Sequence, residues 1–168
     1  PAPLFSSTSV NYTGVTPLIT TTYFVRIEGC DTTASASTTV TVNTLSSDPS
    51  GVSSSNAQVC AGTTVNLTVN GGNLGTGANW YWYAGGCGAG APIGTGANIN
   101  VTPNVTTSYF VRAEGTCNNS NCATVTVLVD DLSQDPVSVI ASDPSVCPNE
   151  LVVLSVIGGS LGAGATWE

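Results

Sequence analysis

The sequence contains no histidine, no lysine and no methionine, and its only basic residues are Arg26 and Arg112. Phosphate contacts depend on Lys and Arg, so nucleic acid is excluded as a partner. The formal charge of −8 stands almost unopposed, a surface that favours solubility, repulsion between neighbours and cation binding. Without His or Lys there is no conventional catalytic triad, no Schiff-base lysine and no common zinc set. A glycosidase-like carboxylate pair is the remaining catalytic option, and no two acids converge for it outside a cluster at Asp130, Asp131 and Asp135. The expectation is a protein that is not an enzyme. No apolar run approaches the roughly 18 residues of a membrane span, no signal-peptide pattern is present, and no window carries a helical period.

What the sequence does have is self-similarity. TTTYFVRIEG at Thr20 to Gly29 returns as TTSYFVRAEG at Thr106 to Gly115, and GGNLGTGANW from Gly71 returns as GGSLGAGATW from Gly158. The offsets are 86 and 87, which makes this a repeat of about 87 residues, the size of one small β-sandwich. Residues 1–50 read as the back half of one repeat, 51–137 as a complete one, and 138–168 as the front half of another. LSSDP at Leu45 to Pro49 and LSQDP at Leu132 to Pro136 are expected to close the units.

Thr, Ser, Val, Gly and Asn dominate the composition, and Val and Thr suit half-buried pleated surfaces. In the complete repeat Val65, Leu67 and Val69 alternate with polar neighbours, and Trp80 and Trp82 alternate with Tyr81 and Tyr83, as a strand with one buried face requires. Ile99 with Val101, the Tyr109 strand, and Val125, Val127 and Val129 follow, with Gly71 to Gly77 and Gly85 to Gly96 as loops. In the first segment Val10 to Val15, the Tyr23 strand and Thr38 to Asn43 are the matching strands. About seven strands in 87 residues predict an all-β fold of tandem immunoglobulin-like sandwiches, with Tyr109 as the corner tyrosine of strand F. The residue two beyond Tyr109 is Val111 rather than Cys, so the antibody-type cross-sheet disulfide is absent.

Six cysteines in so small a chain point to an oxidising, extracellular setting. Cys30 matches Cys117, and Cys147 matches Cys60 in the shared phrase Val-Cys, whereas Cys122 and Cys87 have no counterparts around the first Tyr-Phe-Val-Arg. Two cysteines absent together are expected to pair together, which gives Cys87 with Cys122 and Cys60 with Cys117. The missing partner of Cys30 falls at 60 minus 87, or −27, and two repeat lengths further, at 147. An inter-copy disulfide between Cys30 and Cys147 is therefore expected, with the two end segments completing one sandwich as a continuing polypeptide or by strand exchange between subunits.

VCAGTTVNLTV at Val59, NWYWYAGGCG at Asn79, PIGTGANINVTPNVTTSYFVRAEGTC at Pro92 and ATVTVLV at Ala123 together resemble the tandem bacterial Ig-like domains of large proteins secreted by Gram-negative gliding bacteria. The resemblance covers the complete repeat and both partial ones. It implies stalks, adhesin arms and spacers, with secretion and anchoring directed by a separate C-terminal domain.

Four further expectations concern sites. Arg26 with Glu28 and Arg112 with Glu114 lie two apart on one strand face, as solvated ion pairs. Asp130, Asp131 and Asp135 put oxygen ligands at a junction where calcium could stiffen the linker, and no other cofactor is implied. Asn11, Asn66, Asn104 and Asn118 begin N-x-S/T triplets, and Asp31-Thr32-Thr33 looks like the short O-glycosylation site of the same bacterial group, with Thr32 as acceptor. The partners expected are copies of the chain itself and, in an adhesin, glycans or protein met by Tyr81 or Tyr83. The leading reading is a module of an extracellular filament, and the alternative is an adhesin arm.

Overall fold

A computed structural model describes residues 4–11 and 14–168. It divides into two compact units, 1–44 and 45–168. Twelve strands are present among the described residues and no helix: β1 Thr21–Val25, β2 Ala36–Val40, β3 Gly51–Ser54, β4 Gln58–Cys60, β5 Val65–Asn70, β6 Asn79–Ala84, β7 Gly94–Thr95, β8 Asn98–Val101, β9 Thr107–Glu114, β10 Ala123–Asp130, β11 Ser138–Ala141 and β12 Leu154–Ile157.

The complete repeat is a sandwich of two sheets, β3-β5-β8 and β4-β10-β9-β6-β7. Every pairing is antiparallel except β4 with β10, where Gln58, Val59 and Cys60 lie beside Leu128, Val129 and Asp130. Eight strands stand where seven were expected, because the chain leaves β3 in one sheet and enters the other at once as β4, and Gly94–Thr95 adds a short edge strand within the expected loop. The period-two pattern then does its work. Val65 and Leu67 from one sheet meet Trp80, Trp82, Tyr109, Val111, Ala113 and Val127 from the other, and Val65, Leu67, Trp82, Val111 and Val127 are fully buried. Trp82 also donates its indole N–H to the Gly96 carbonyl at 2.9 Å, so its polar atom is satisfied inside the core. Burial raises the Tyr109 hydroxyl above its ordinary pKa, consistent with the place expected for it at the start of strand F.

The end segments copy parts of this sandwich bond for bond. Thr22 faces Thr39 in the β1–β2 hairpin with a 2.8 Å hydroxyl contact, as Ser108 faces Thr126 at 2.8 Å in β9–β10. The Ile27 N–H donates to the Thr33 hydroxyl as the Ala113 N–H donates to that of Ser120. In the last segment β11 pairs with β12 in the register of β3 with β5, and Ser142 bonds Val153 as Ser55 bonds Asn66. Gly62, at φ 77°, corresponds to Asn149 at φ 72°, since asparagine is among the side chains that best tolerate this left-handed turn.

Three expectations are corrected. No strand forms over 10–15 among the described residues, and Tyr12 and Thr13 lie outside them. The second strand of the first hairpin is Ala36–Val40 rather than Thr38 to Asn43. LSSDP does not close the first unit but opens the next: Ser47 and Ser50 bond Asn73 and Asn70 through their backbones, so the boundary falls at Thr44 rather than near 50.

Candidate functional site

The complete repeat carries chemistry in three places: its two poles and the outer face of its five-stranded sheet. At the pole where the chain enters, the turn between β9 and β10 grips the incoming segment. Asn118 accepts from the Ser46 N–H at 2.9 Å and donates to the Ser46 carbonyl at 3.0 Å, while Asn121 donates from its backbone and side chain to the two oxygens of Asp48, at 2.9 and 2.8 Å. Those bonds hold the Asp48 carboxyl below its ordinary pKa, the side-chain bond most strongly. Ser46 in turn accepts the Gly75 N–H, so the incoming segment is fixed on two sides. Cys117 stands next to this latch, exposed and unpaired.

The opposite pole is where the chain leaves. β10 ends at Asp130, whose carboxylate takes both oxygens' bonds from the Gln58 amide at 2.8 and 2.9 Å, and Cys60 is the Cα partner of Asp130. From Ala123 to Asp130 the strand advances seven steps, about 23 Å at a strand rise of about 3.3 Å per residue. Cys60 and Cys117 therefore sit at opposite ends of the sandwich. The expected Cys60–Cys117 disulfide is overturned by that distance, and both thiols are exposed. Cys30 and Cys147 are likewise exposed and unpaired.

Cys87 and Cys122 do form a disulfide, with 6.0 Å between their Cα atoms. It ties the loop after β6 down onto the outer face of the sheet. Gly88 there rests against the Arg112 guanidinium, and its φ of 68° is the left-handed conformation that favours glycine. Beneath the loop Arg112 lies 5.5 Å from the centre of the Tyr83 ring and donates to Glu114 at 2.8 Å, and the Tyr83 hydroxyl donates to the same carboxylate oxygen. Tyr83 is buried at 4% exposure, so of the two tyrosines proposed as ligand contacts only the half-buried Tyr81 reaches solvent. The Arg112–Glu114 pair, too, is half-buried rather than solvated, with about a quarter of each side chain exposed, whereas Arg26–Glu28 is more than half exposed as expected.

The electrostatics of this cluster set a pH dependence. Desolvation first, and then the bond to Glu114, raises Tyr83, while the Tyr83 hydroxyl and then Arg112 hold Glu114 below its ordinary value. A carboxyl with a depressed folded-state pKa contributes stability that is fully present above its unfolded value, about 4.3, and is lost as pH falls through the folded value. The urea midpoint of the intact protein is therefore expected to fall as pH drops from about 5 toward about 3, and Glu114→Gln to flatten that fall while leaving the part due to Asp48. An unchanged slope in the variant would show that the cluster does not couple to folding.

The remaining predicted residues are dispersed. Asp130, Asp131 and Asp135 do not converge, and among the described residues no three acids, cysteines or histidines are grouped as a metal would need. The Asp130 carboxylate accepts from the Gln58 side-chain amide along the sheet edge. Asn118 bonds Ser46 through both amide atoms, and Ser120 of its triplet is buried and accepts the Ala113 N–H. Asn66 and Asn104 are exposed, Asn66 with its amide on Asn100 at 2.9 Å. Asn11 and Thr32 are exposed as well, and Thr13 of the Asn11 triplet lies outside the described residues. Sequence reasoning missed Asp48 and Asn121. The Asp-Pro shared by both junctions was the available signal for the first, and nothing in the sequence marked the second.

No curated protein matches the chain. Among solved structures, domains d3–d4 of the extracellular region of rat CD45 are similar at 15% identity over 75% of each chain, with a TM-score of 0.42, a likeness too loose to argue from. Residues 48–130 match the family described as Ig-like domain, CHU_C associated. The match spans the latch at Asp48, both sheets and the end of β10 at Asp130, and it agrees with the resemblance to bacterial Ig-like domains of gliding-bacteria surface proteins. The complete repeat is therefore a disulfide-bonded, extracellular-type Ig-like domain that resembles, over residues 48–130, the CHU_C-associated family.

Proposed function

We propose that this chain is a structural module of an extracellular bacterial filament or fibre, in which half sandwiches are completed by the adjoining repeat. One observation carries the reading. Positions that form the core of the complete repeat are bare in the end segments: Val111 and Val127 are fully buried, yet their counterparts Val25 and Val40 are 66% and 39% exposed. Leu67 is fully buried against 69% exposure for Leu154, and Trp80 has 6% against 46% for Trp167. The first segment holds the β9–β10 part of a sandwich and the last holds the β3–β5 part, so the two bare faces are complementary halves of the same core. The occupant of each is the other, on a continuing polypeptide or on a second copy.

The groove lined by Asp131 to Gln134, Ser160 and Leu161 supports this reading. It is the counterpart of the place where Asn118 bonds Ser46, and Asp31 stands at the Asn118 position of the first segment. Function is then mechanical: sheet packing within domains, the loop clamp against unravelling, and short Asp-Pro junctions that limit bending. An adhesin arm remains the competing reading, although burial of Tyr83 leaves it one aromatic fewer. Electron microscopy of purified native material tests the proposal. Regular polymers are expected; monodisperse material whose surface attachment is blocked by a soluble glycan or protein would overturn the filament in favour of the adhesin.

A further inference from the structure

We infer that successive repeats are joined covalently across each junction, by a disulfide between the Cys60 position of one repeat and the Cys117 position of the next. The inference rests on the end-to-end reading above. The complete repeat carries one exposed, unpaired cysteine at each pole, the first and last segments repeat one each at Cys30 and Cys147, and both poles adjoin a junction. Cys60 is the Cα partner of Asp130, the last residue of β10. Cys117 precedes Asn118, which holds both backbone groups of Ser46. The counterpart of Ser46 in the next repeat is Ser133, whose hydroxyl accepts the Gly162 N–H as that of Ser46 accepts the Gly75 N–H. Only Asp131 and Leu132 separate Asp130 from Ser133.

The Cys60 thiol and the next repeat's Cys117 thiol therefore flank the same three-residue step. Its reach is at most about 10 Å, short enough for the two thiols to meet at the roughly 4.4–6.8 Å that a disulfide needs between Cα atoms. The same geometry accounts for why none of the four thiols has a partner in this chain. Cys60 would pair at 117 plus 87, position 204, and Cys117 at 60 minus 87, position −27, both outside it. If copies adjoin with a period of two repeats, 174 residues, those positions become 30 and 147 of the neighbouring copy. The pairs are then Cys60 with Cys30 and Cys117 with Cys147, in place of a link between Cys30 and Cys147.

Chemically, two thiols each lose a proton and an electron, one S–S bond forms, and the two electrons and two protons pass to dioxygen or to an exchanging external disulfide. No conformational change within a sandwich is needed. The product would be a fibre whose load passes through covalent bonds at every junction even if one junction peptide were cut.

The test is peptide mapping of native assemblies, alkylated before any reductant is added and digested with pepsin, since two arginines make trypsin uninformative. Electron microscopy is done on the same sample. The expected result is that the Cys60 and Cys147 peptides are each recovered linked to a peptide of the following repeat, Cys30 or Cys117 in adjoining copies, or the corresponding cysteine of a continuing chain. Filaments in which Cys60 and Cys117 are alkylated without reductant overturn the disulfide and leave the filament standing. Links from Cys60 to Cys117 of the same repeat, or from Cys30 to Cys147, overturn it as well. Absent filaments together with a Cys60 link to the following repeat overturn the filament and keep the junction bond.

Discussion

Replacing Trp82 by alanine is expected to destabilise the complete repeat by about 3–5 kcal/mol, the range for removing a large aromatic from a core. Trp82 is fully buried in one core cluster with Val65 and Leu67 of the facing sheet and Val111 and Val127 of its own, so the vacated volume is walled by packed side chains and collapses poorly. The substitution also strands the Gly96 carbonyl, which receives the indole N–H and lies where the short edge strand β7 ends. An unmet polar group of that kind adds about 1–3 kcal/mol when it stays buried. Against a typical domain stability of about 5–15 kcal/mol, the repeat comes close to its unfolding threshold. Urea unfolding followed by the fluorescence of the remaining tryptophans measures this. Trp82→Phe, which keeps most of the volume and loses the bond, should fall between the variant and the parent. Equal midpoints for parent and alanine variant would show that the core is organised around another residue.

The legibility of this core came from contrast. Trp80 and Trp82 set against Tyr81 and Tyr83 announce a strand and its inner face, and the inner face is the one the structure buries. The outer face was harder to read. Tyr83 looks exposed by alternation, and what buries it is a glycine- and alanine-rich loop with no period of its own, held down by a bond between residues 35 apart in sequence. The cysteines divide in the same way. Cys87 and Cys122 are absent together from the first segment, and that joint absence was enough to pair them. Cys60 and Cys117 recur in every repeat segment that could hold them, which identifies two recurring positions but not the ends of the sandwich where they lie. Only the parallel pairing of β4 with β10 reveals that Cys60 belongs to the exit pole, and parallel pairing leaves no mark in a three-residue strand. LSSDP was assigned to the wrong neighbour for a related reason: a junction motif reads the same from either side until its hydrogen bonds to Asn118 and Asn121 are seen.

Loss of the Cys87–Cys122 disulfide is expected to lower the stability of the complete repeat by about 3–4 kcal/mol, from the closure entropy of a loop of about 35 residues. The physical consequence is local as well as global. The bond is what presses the loop onto the outer face, where Gly88 covers the Arg112 guanidinium and Tyr83 is shielded from water. Without it the loop gains freedom, the glycine-rich backbone has little else to hold it, and the shared Glu114 carboxylate is opened to solvent. Two readouts separate the effects. In the double variant Cys87→Ser with Cys122→Ser, the urea midpoint should drop, and Tyr83, which burial and Glu114 now raise, should titrate closer to an ordinary tyrosine in the absorbance change near ~295 nm. The sign follows from linkage. A raised folded-state pKa gives stability that is fully present below the unfolded value of about 10 and lost as pH rises through the folded value. The parent should therefore lose more stability in alkali than the double variant, which keeps only the part due to the buried Tyr109. A variant with a lower midpoint but an unmoved Tyr83 titration would mean that the disulfide acts on the unfolded chain alone, and that the loop keeps its seat through the contact of Gly88 with Arg112.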